Sequence, residues 1–122
     1  MDRLVRTILF AAVCGSAVVV AAQAQEAPRG DAANGKRLYL ANYCYTCHGR
    51  VGQGGAYNGP APALAKTAMP YEGLVGQTRN PSNDMPGYSA QVLPDQELAD
   101  IYAYLQSLPG PSDSKGVALL ND

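Results

Sequence analysis

The sequence holds a single histidine, His48, and only three cysteines, and it shows no internal repeat and no clear alternation of apolar and polar residues. Each scarcity removes a class of chemistry. A protein zinc site takes about four ligands, and this chain would have to complete one with a carboxylate or water. Bis-histidine ligation of a metal within one chain is excluded. Without period-two alternation there is no case for strands, and so none for the βαβ setting in which redox-active thiol pairs usually sit. Without a repeat there is no array of sites. The nine basic and ten acidic side chains are nearly balanced, and no basic stripe argues for nucleic acid.

The one long apolar stretch is N-terminal. Arg3 and Arg6 form a basic start, Ile8 to Ala22 is mostly apolar, and Ala22-Gln23-Ala24 is a small-x-small cleavage site. The stretch is shorter than the roughly 20 residues of a membrane span and is broken at Gly15-Ser16. Residues 1–24 are therefore expected to be a secretory signal, with the mature chain starting near Gln25 in the periplasm and no membrane span in the mature form. Cys14 goes with the signal, since Ala11 stands where a lipid-attachment motif has leucine. The exported chain keeps Cys44 and Cys47 and is mildly acidic, with Arg29, Lys36, Arg37, Arg50, Lys66, Arg79 and Lys115 as its cations.

Residues 25–30 form a polar, proline-containing leader, and Pro109-Gly110-Pro111 opens a tail, 109–122, expected to be flexible. The folded domain is expected over 31–108 and to be mostly α-helical. A first helix is predicted from about Ala32 to Ala41, capped by Asp31, with Gly35, Leu38 and Tyr39 sharing part of one face. A last helix has Asp95 and Glu97 in its first turn, where acids suit the helix dipole, and Leu98, Ile101, Tyr102, Leu105 and Leu108 at helical spacing before Pro109 stops it. Between them, four glycines from Gly52 to Gly59 and prolines at 60, 62, 70, 81 and 86 predict loops with one or two short helices. Tyr57, Tyr71 and Tyr88 are expected there as half-buried loop residues, with the edge of a bound cofactor or an interface as the alternative. So small a domain buries a modest core, and a large apolar cofactor at its centre would help hold it together.

Cys44-Tyr45-Thr46-Cys47-His48 is a C-x-x-C-H run, the pattern for c-type haem attachment. Two thiols at this spacing can reach the two vinyl groups of one porphyrin edge and form thioethers, and the next residue is then held under the iron. The rival readings of these residues fare worse. A thioredoxin-type pair lacks its strand, zinc lacks a fourth protein ligand, and a disulfide across so short a loop is strained. A second axial ligand must be sought outside histidine. The exported chain has two methionines, Met69 and Met85. Met85, in Asn83-Asp84-Met85-Pro86-Gly87-Tyr88, precedes the last helix and is far enough from His48 for its loop to wrap to the opposite haem face. Met69 has no such placement, and Lys66 and Lys115 sit badly for that face. The expectation is one covalent haem c, through Cys44 and Cys47, with His48 and Met85 on the iron.

With these residues in view, the chain resembles the class I c-type cytochromes. The likeness runs through Gly35-Lys36-Arg37-Leu38-Tyr39, Cys44 to Gly49, Gly59-Pro60, Met85-Pro86-Gly87-Tyr88 and Ile101-Tyr102-Ala103-Tyr104-Leu105. It implies the cytochrome c fold, a small helical domain around one haem, with Gly35 and Tyr39 packed against Ile101, Tyr104 and Leu105. It also implies that the Pro60 carbonyl fixes the second ring nitrogen of His48, with Pro62 as the alternative. One departure is visible: Asn42-Tyr43 makes the approach to Cys44 one residue longer than the commonest spacing of the family.

An iron ligated on both faces has no open position for a substrate, so an electron-transfer protein is expected and not an enzyme. Its expected partners are redox proteins, such as a periplasmic dehydrogenase as donor and a terminal oxidase or other acceptor. Three alternatives remain: a dedicated cytochrome subunit of a periplasmic dehydrogenase complex, a ligand-binding or catalytic haem protein with Met85 off the iron, and a thiol oxidoreductase without haem.

Overall fold

The computed structural model describes residues 27–55 and 61–111, so the expected signal, Cys14, Tyr57, Pro60 and the tail beyond Pro111 lie outside the described residues. Among the described residues there are four helices and no strand: α1 (Ala32–Ala41), α2 (Tyr45–His48), α3 (Tyr71–Arg79) and α4 (Asp95–Ser107). This is a small all-α fold, the class the sequence predicts.

Local chemistry sets the helix ends. Asp31 is extended, and its carboxylate accepts from the Ala33 and Asn34 amides at 2.8 and 3.2 Å, capping α1. Helix α4 begins after Pro94, whose carbonyl takes the Leu98 amide at 3.0 Å, and Asp95 and Glu97 lie against the positive end of its dipole. It ends at Ser107, one residue before the apolar stripe does, because Leu108 precedes Pro109 and is forced to an extended φ of −75° and ψ of 149°. Asn80 stops α3 before Pro81 as well, out of the helical region at φ −131° and ψ 72°. Tyr71, expected in a loop, is instead the buried first residue of α3. Its hydroxyl donates to the Asp95 carbonyl at 2.9 Å and its ring meets Tyr102 edge-on at 5.6 Å.

The crossing of α1 and α4 forms the centre. Gly35 lies on the α4 backbone so closely that a Cβ there would come within 1.9 Å of the Asp100 carbonyl oxygen. That approach brings the Tyr39 ring to 5.5 Å from Tyr104, and Tyr39 and Leu105 are both wholly buried. Burying a large apolar side chain stabilises by roughly 1.5–3 kcal/mol. The Asp100 carboxylate, 6% exposed, accepts from the Asp31 amide at 2.8 Å, the Asn34 side chain at 2.8 Å and Gln96 at 3.2 Å. These bonds, the Asp31 amide first, hold its carboxyl below the ordinary aspartate value. The end of the leader joins this packing: Gln96 donates to the Arg29 carbonyl at 3.1 Å, and a Cβ on Gly30 would strike Ala99.

The second half of α4 carries the segment before α3. The Lys66 amide donates to the Leu105 carbonyl at 2.7 Å, Gln106 to the Thr67 carbonyl at 2.8 Å and the Tyr102 hydroxyl to the Met69 carbonyl at 3.0 Å.

Candidate haem-attachment site

The chain leaves α1 through a tight turn. Asn42 closes the helix, and Tyr43 takes a left-handed φ of 59°, which absorbs the extra residue of the approach and lets the Cys44 amide donate to the Tyr39 carbonyl at 3.1 Å. Cys44 is already helical and α2 is a single turn, so Cys44 and Cys47, three residues apart, share a face. The His48 amide bonds back to the Cys44 carbonyl at 3.0 Å. Both thiols are half-buried and not joined to each other. Burial, the largest cause, pushes the Cys44 thiol up to about 11. A redox-active C-x-x-C needs a thiolate and hence a lowered value, so this environment suits an alkylated sulfur better than a nucleophile.

Two tyrosines of the α1–α4 crossing hold the exit of the motif: Tyr39 donates to the Gly49 carbonyl at 2.8 Å and Tyr104 to the Arg50 carbonyl at 3.3 Å. Beyond it, glycines fold the chain back under the histidine. Gly54 donates to the His48 carbonyl at 2.8 Å, Gly55 to the Ala61 carbonyl at 2.9 Å and Leu64 to the Gly52 carbonyl at 2.7 Å. Gly54 needs to be glycine on two counts: its φ is +78°, and a Cβ would lie 2.7 Å from the Ala63 nitrogen. This strap sets the Pro62 carbonyl 3.0 Å from His48 Nδ1. Of the two carbonyls the likeness implies, that of Pro62 meets the ring, because the pairing of the 52–55 turn with 61–65 brings residue 62 to Nδ1; Pro60 itself is outside the described residues. A carbonyl only accepts, so Nδ1 carries the proton of this bond, and Nε2 is the nitrogen left to bind a metal. A buried imidazole that donates from Nδ1 in this way can bind a metal through Nε2.

Met85 lies in the loop between α3 and α4, half-buried, and its Sδ accepts from Gln77 at 3.7 Å. Two anchors hold this loop. Arg79 donates to the Tyr88 and Leu93 carbonyls, each at 2.8 Å, and the Tyr88 hydroxyl donates to the Asn42 carbonyl at 2.7 Å. Tyr88 therefore ties the Met85 segment to the turn that delivers Cys44, a role that a half-buried loop residue did not suggest. Met69 is exposed, its carbonyl is bonded to Tyr102, and its side chain rests against Gly73 of α3. Gln77 and Arg79 had no sequence signal of their own, since they act through positions distant in the chain, whereas Pro62 and Tyr88 had entered only through the family likeness.

The donor set fits a c-type haem: two thiols on one helical turn, an imidazole whose Nε2 is available, and a partly buried thioether on a separate, anchored loop. The family profile for cytochrome c oxidase, cbb3-type, subunit III, matches residues 30–105. Comparison with curated proteins and with solved structures returns no match. Because the profile runs from the start of the α1 packing through the haem motif and the Met85 loop into α4, the chain belongs to this family and is a class I c-type cytochrome, whose chemistry is haem-based electron transfer.

Proposed function

We propose that the protein carries single electrons between redox proteins of the bacterial periplasm, using one haem c bound through Cys44 and Cys47 with His48 and Met85 as axial ligands. The observation that carries this reading is the fixed His48 ring, its Nδ1 proton held by the Pro62 carbonyl at 3.0 Å. When bound, the haem supplies a one-electron iron couple whose potential the axial ligands set. The chain's own residues do the rest. Cys44 and Cys47 hold the macrocycle edge to α2, Pro62 keeps the imidazole basic and correctly turned, and Met85 closes the other face against substrates and water. Residues 1–24 act as the export signal and 31–108 form the cytochrome domain. The donor in this reading is a periplasmic dehydrogenase and the acceptor a terminal oxidase or similar protein. The family's description as an oxidase subunit favours a second reading, a cytochrome subunit held within a larger redox complex, and stable co-purification with that complex distinguishes it.

Met85→Ala tests the ligand set. The unmutated oxidised protein should be low-spin and show the weak near-infrared band of thioether-to-iron(III) charge transfer. The variant should lose the band, bind cyanide or CO, and have a lower potential, because a thioether favours iron(II). Met69→Ala should do none of these. An unmutated protein that is already high-spin and binds CO would instead make it a ligand-binding or catalytic haem protein.

A further inference from the structure

Arg79 and Tyr88 fix the backbone of the Met85 loop, but a backbone anchor does not fix a thioether. Methionine is unbranched and turns about three side-chain bonds, so its sulfur has several positions open to it from one backbone position. Among the described residues, one hydrogen bond reaches that sulfur, from Nε2 of Gln77 at 3.7 Å. Gln77 is half-buried in the last turn of α3, at the rim of the stripe formed by Tyr71, Leu74 and Thr78. The chain leaves the helix at Asn80 and turns at Asn83, whose left-handed φ of 59° asparagine tolerates. Met85 is thereby returned to the helix end it left.

Two partners determine which way the Gln77 amide points. Its Oε1 accepts from the Ser82 hydroxyl at 3.3 Å while its Nε2 faces the Met85 sulfur. A hydroxyl donates or accepts, whereas a thioether only accepts. The reversed amide would still satisfy Ser82, but it would set oxygen lone pairs against the lone pairs of sulfur. Both ends of the amide are therefore committed, one to orienting it and one to the candidate ligand.

We infer that Gln77, oriented by Ser82, is the positioning residue that gives the Met85 thioether a single configuration and raises the potential of the site. The inference rests on Met85 as an axial ligand and adds what holds its sulfur. A thioether sulfur has two lone pairs. Gln77 takes one, so the other is left for the iron, and of the two configurations open to a metal-bound thioether only one keeps the Gln77 bond. The same bond draws electron density from the sulfur and sets the positive end of an N–H dipole beside it, and both effects favour iron(II).

The test uses the haem-loaded protein with 13C-labelled methionine methyls and the variant Gln77→Leu, which keeps most of the bulk and removes the donor. In the reduced unmutated protein the Met85 methyl should give one sharp line, shifted by the macrocycle ring current. In Gln77→Leu the near-infrared thioether band of the oxidised protein should remain, but the methyl should give two lines or one broadened by exchange. Cyanide should displace the thioether about fivefold faster, the factor expected of one lost hydrogen bond. The redox equilibrium should move about threefold toward iron(III), a fall of about 28 mV for one electron. Ser82→Ala, at an exposed position, should lower the potential in the same direction by less. Arg79→Met loosens the same loop without touching the sulfur, and it should speed cyanide entry yet keep a single sharp methyl line. The inference is overturned if Gln77→Leu keeps the single line and the unmutated potential, if Ser82→Ala leaves the potential unchanged, or if Arg79→Met splits the line as well, which would make loop anchoring the cause. Failure of the ligand reading looks different and takes the inference with it: the unmutated protein itself would lack both the near-infrared band and the shifted methyl line.

Discussion

Gly35→Ala probes the helix crossing that positions every part of the site. A Cβ at this position would lie 1.9 Å from the Asp100 oxygen, 2.4 Å from its carbonyl carbon and 2.9 Å from the Ile101 nitrogen. All three are backbone atoms of α4, so no rotamer change makes room. Ordinary contact begins at 3.4 Å, and the helices must part by about 1.5 Å, the difference between 3.4 and 1.9 Å. Overpacking of this severity costs about 3 kcal/mol. Moving α4 away from Asn34 and Asp31 weakens the bonds to Asp100 by about 1 kcal/mol more, while alanine in a helix returns about 1 kcal/mol relative to glycine. The net loss is about 3 kcal/mol, a fall in melting temperature of roughly 12–24 °C for a domain of this size. Gly76 in α3 has no atom within 4 Å of its would-be Cβ, so Gly76→Ala should stabilise the protein, by up to about 1 kcal/mol. Thermal unfolding of both haem-loaded variants by far-ultraviolet circular dichroism compares them directly. A loss below about 1 kcal/mol for Gly35→Ala, or an equal loss for Gly76→Ala, would refute the reasoning.

Asp100 contributes a pH dependence whose sign follows from its lowered carboxyl: the stabilisation is complete above about pH 4 and is lost as pH falls through the folded value. Asp100→Asn should therefore be most destabilised relative to the unmutated protein at neutral pH and nearly equal to it in strong acid, as urea melts across that range will read. Arg79→Met should free the Met85 loop by removing the donors to the Tyr88 and Leu93 carbonyls, losing roughly 2 kcal/mol and dissociating the thioether at a lower temperature in the near-infrared band. Asp95→Asn should matter far less, because the ion pair with Arg79 ends on a carboxylate that is 70% exposed. Gly54→Ala should push Ala63, and with it the Pro62 carbonyl, off the histidine, lowering stability by about 1–3 kcal/mol and raising the potential as the imidazole becomes less basic.

The candidate attachment motif was legible in the sequence because it is local. A two-residue gap between thiols followed by histidine is the same statement in the sequence and on one turn of α2. The caps and stops were legible for the same reason: Asp31 begins α1, and Pro109 ends α4 through its effect on Leu108. Tyr71 was misplaced because its burial comes from Asp95 and Tyr102, neither of which lies near it in the chain. The choice between the Pro60 and Pro62 carbonyls could not be made from the sequence for a similar reason. Any residue has a carbonyl, so the choice of Pro62 belongs to the pairing of two loop segments and not to proline chemistry.

The sequence by itself determined the helical class, the two principal helices and which sulfur and nitrogen groups are candidate donors, because helical period, capping and motif spacing are short-range properties of neighbouring residues. Only the tertiary structure decided how those donors are held. The Tyr88 hydroxyl reaches Asn42 across 46 residues and Asp100 joins α4 to the start of α1 across 69. Bonds between groups so distant in sequence leave no periodic trace, since their geometry exists only once the helices have crossed at Gly35.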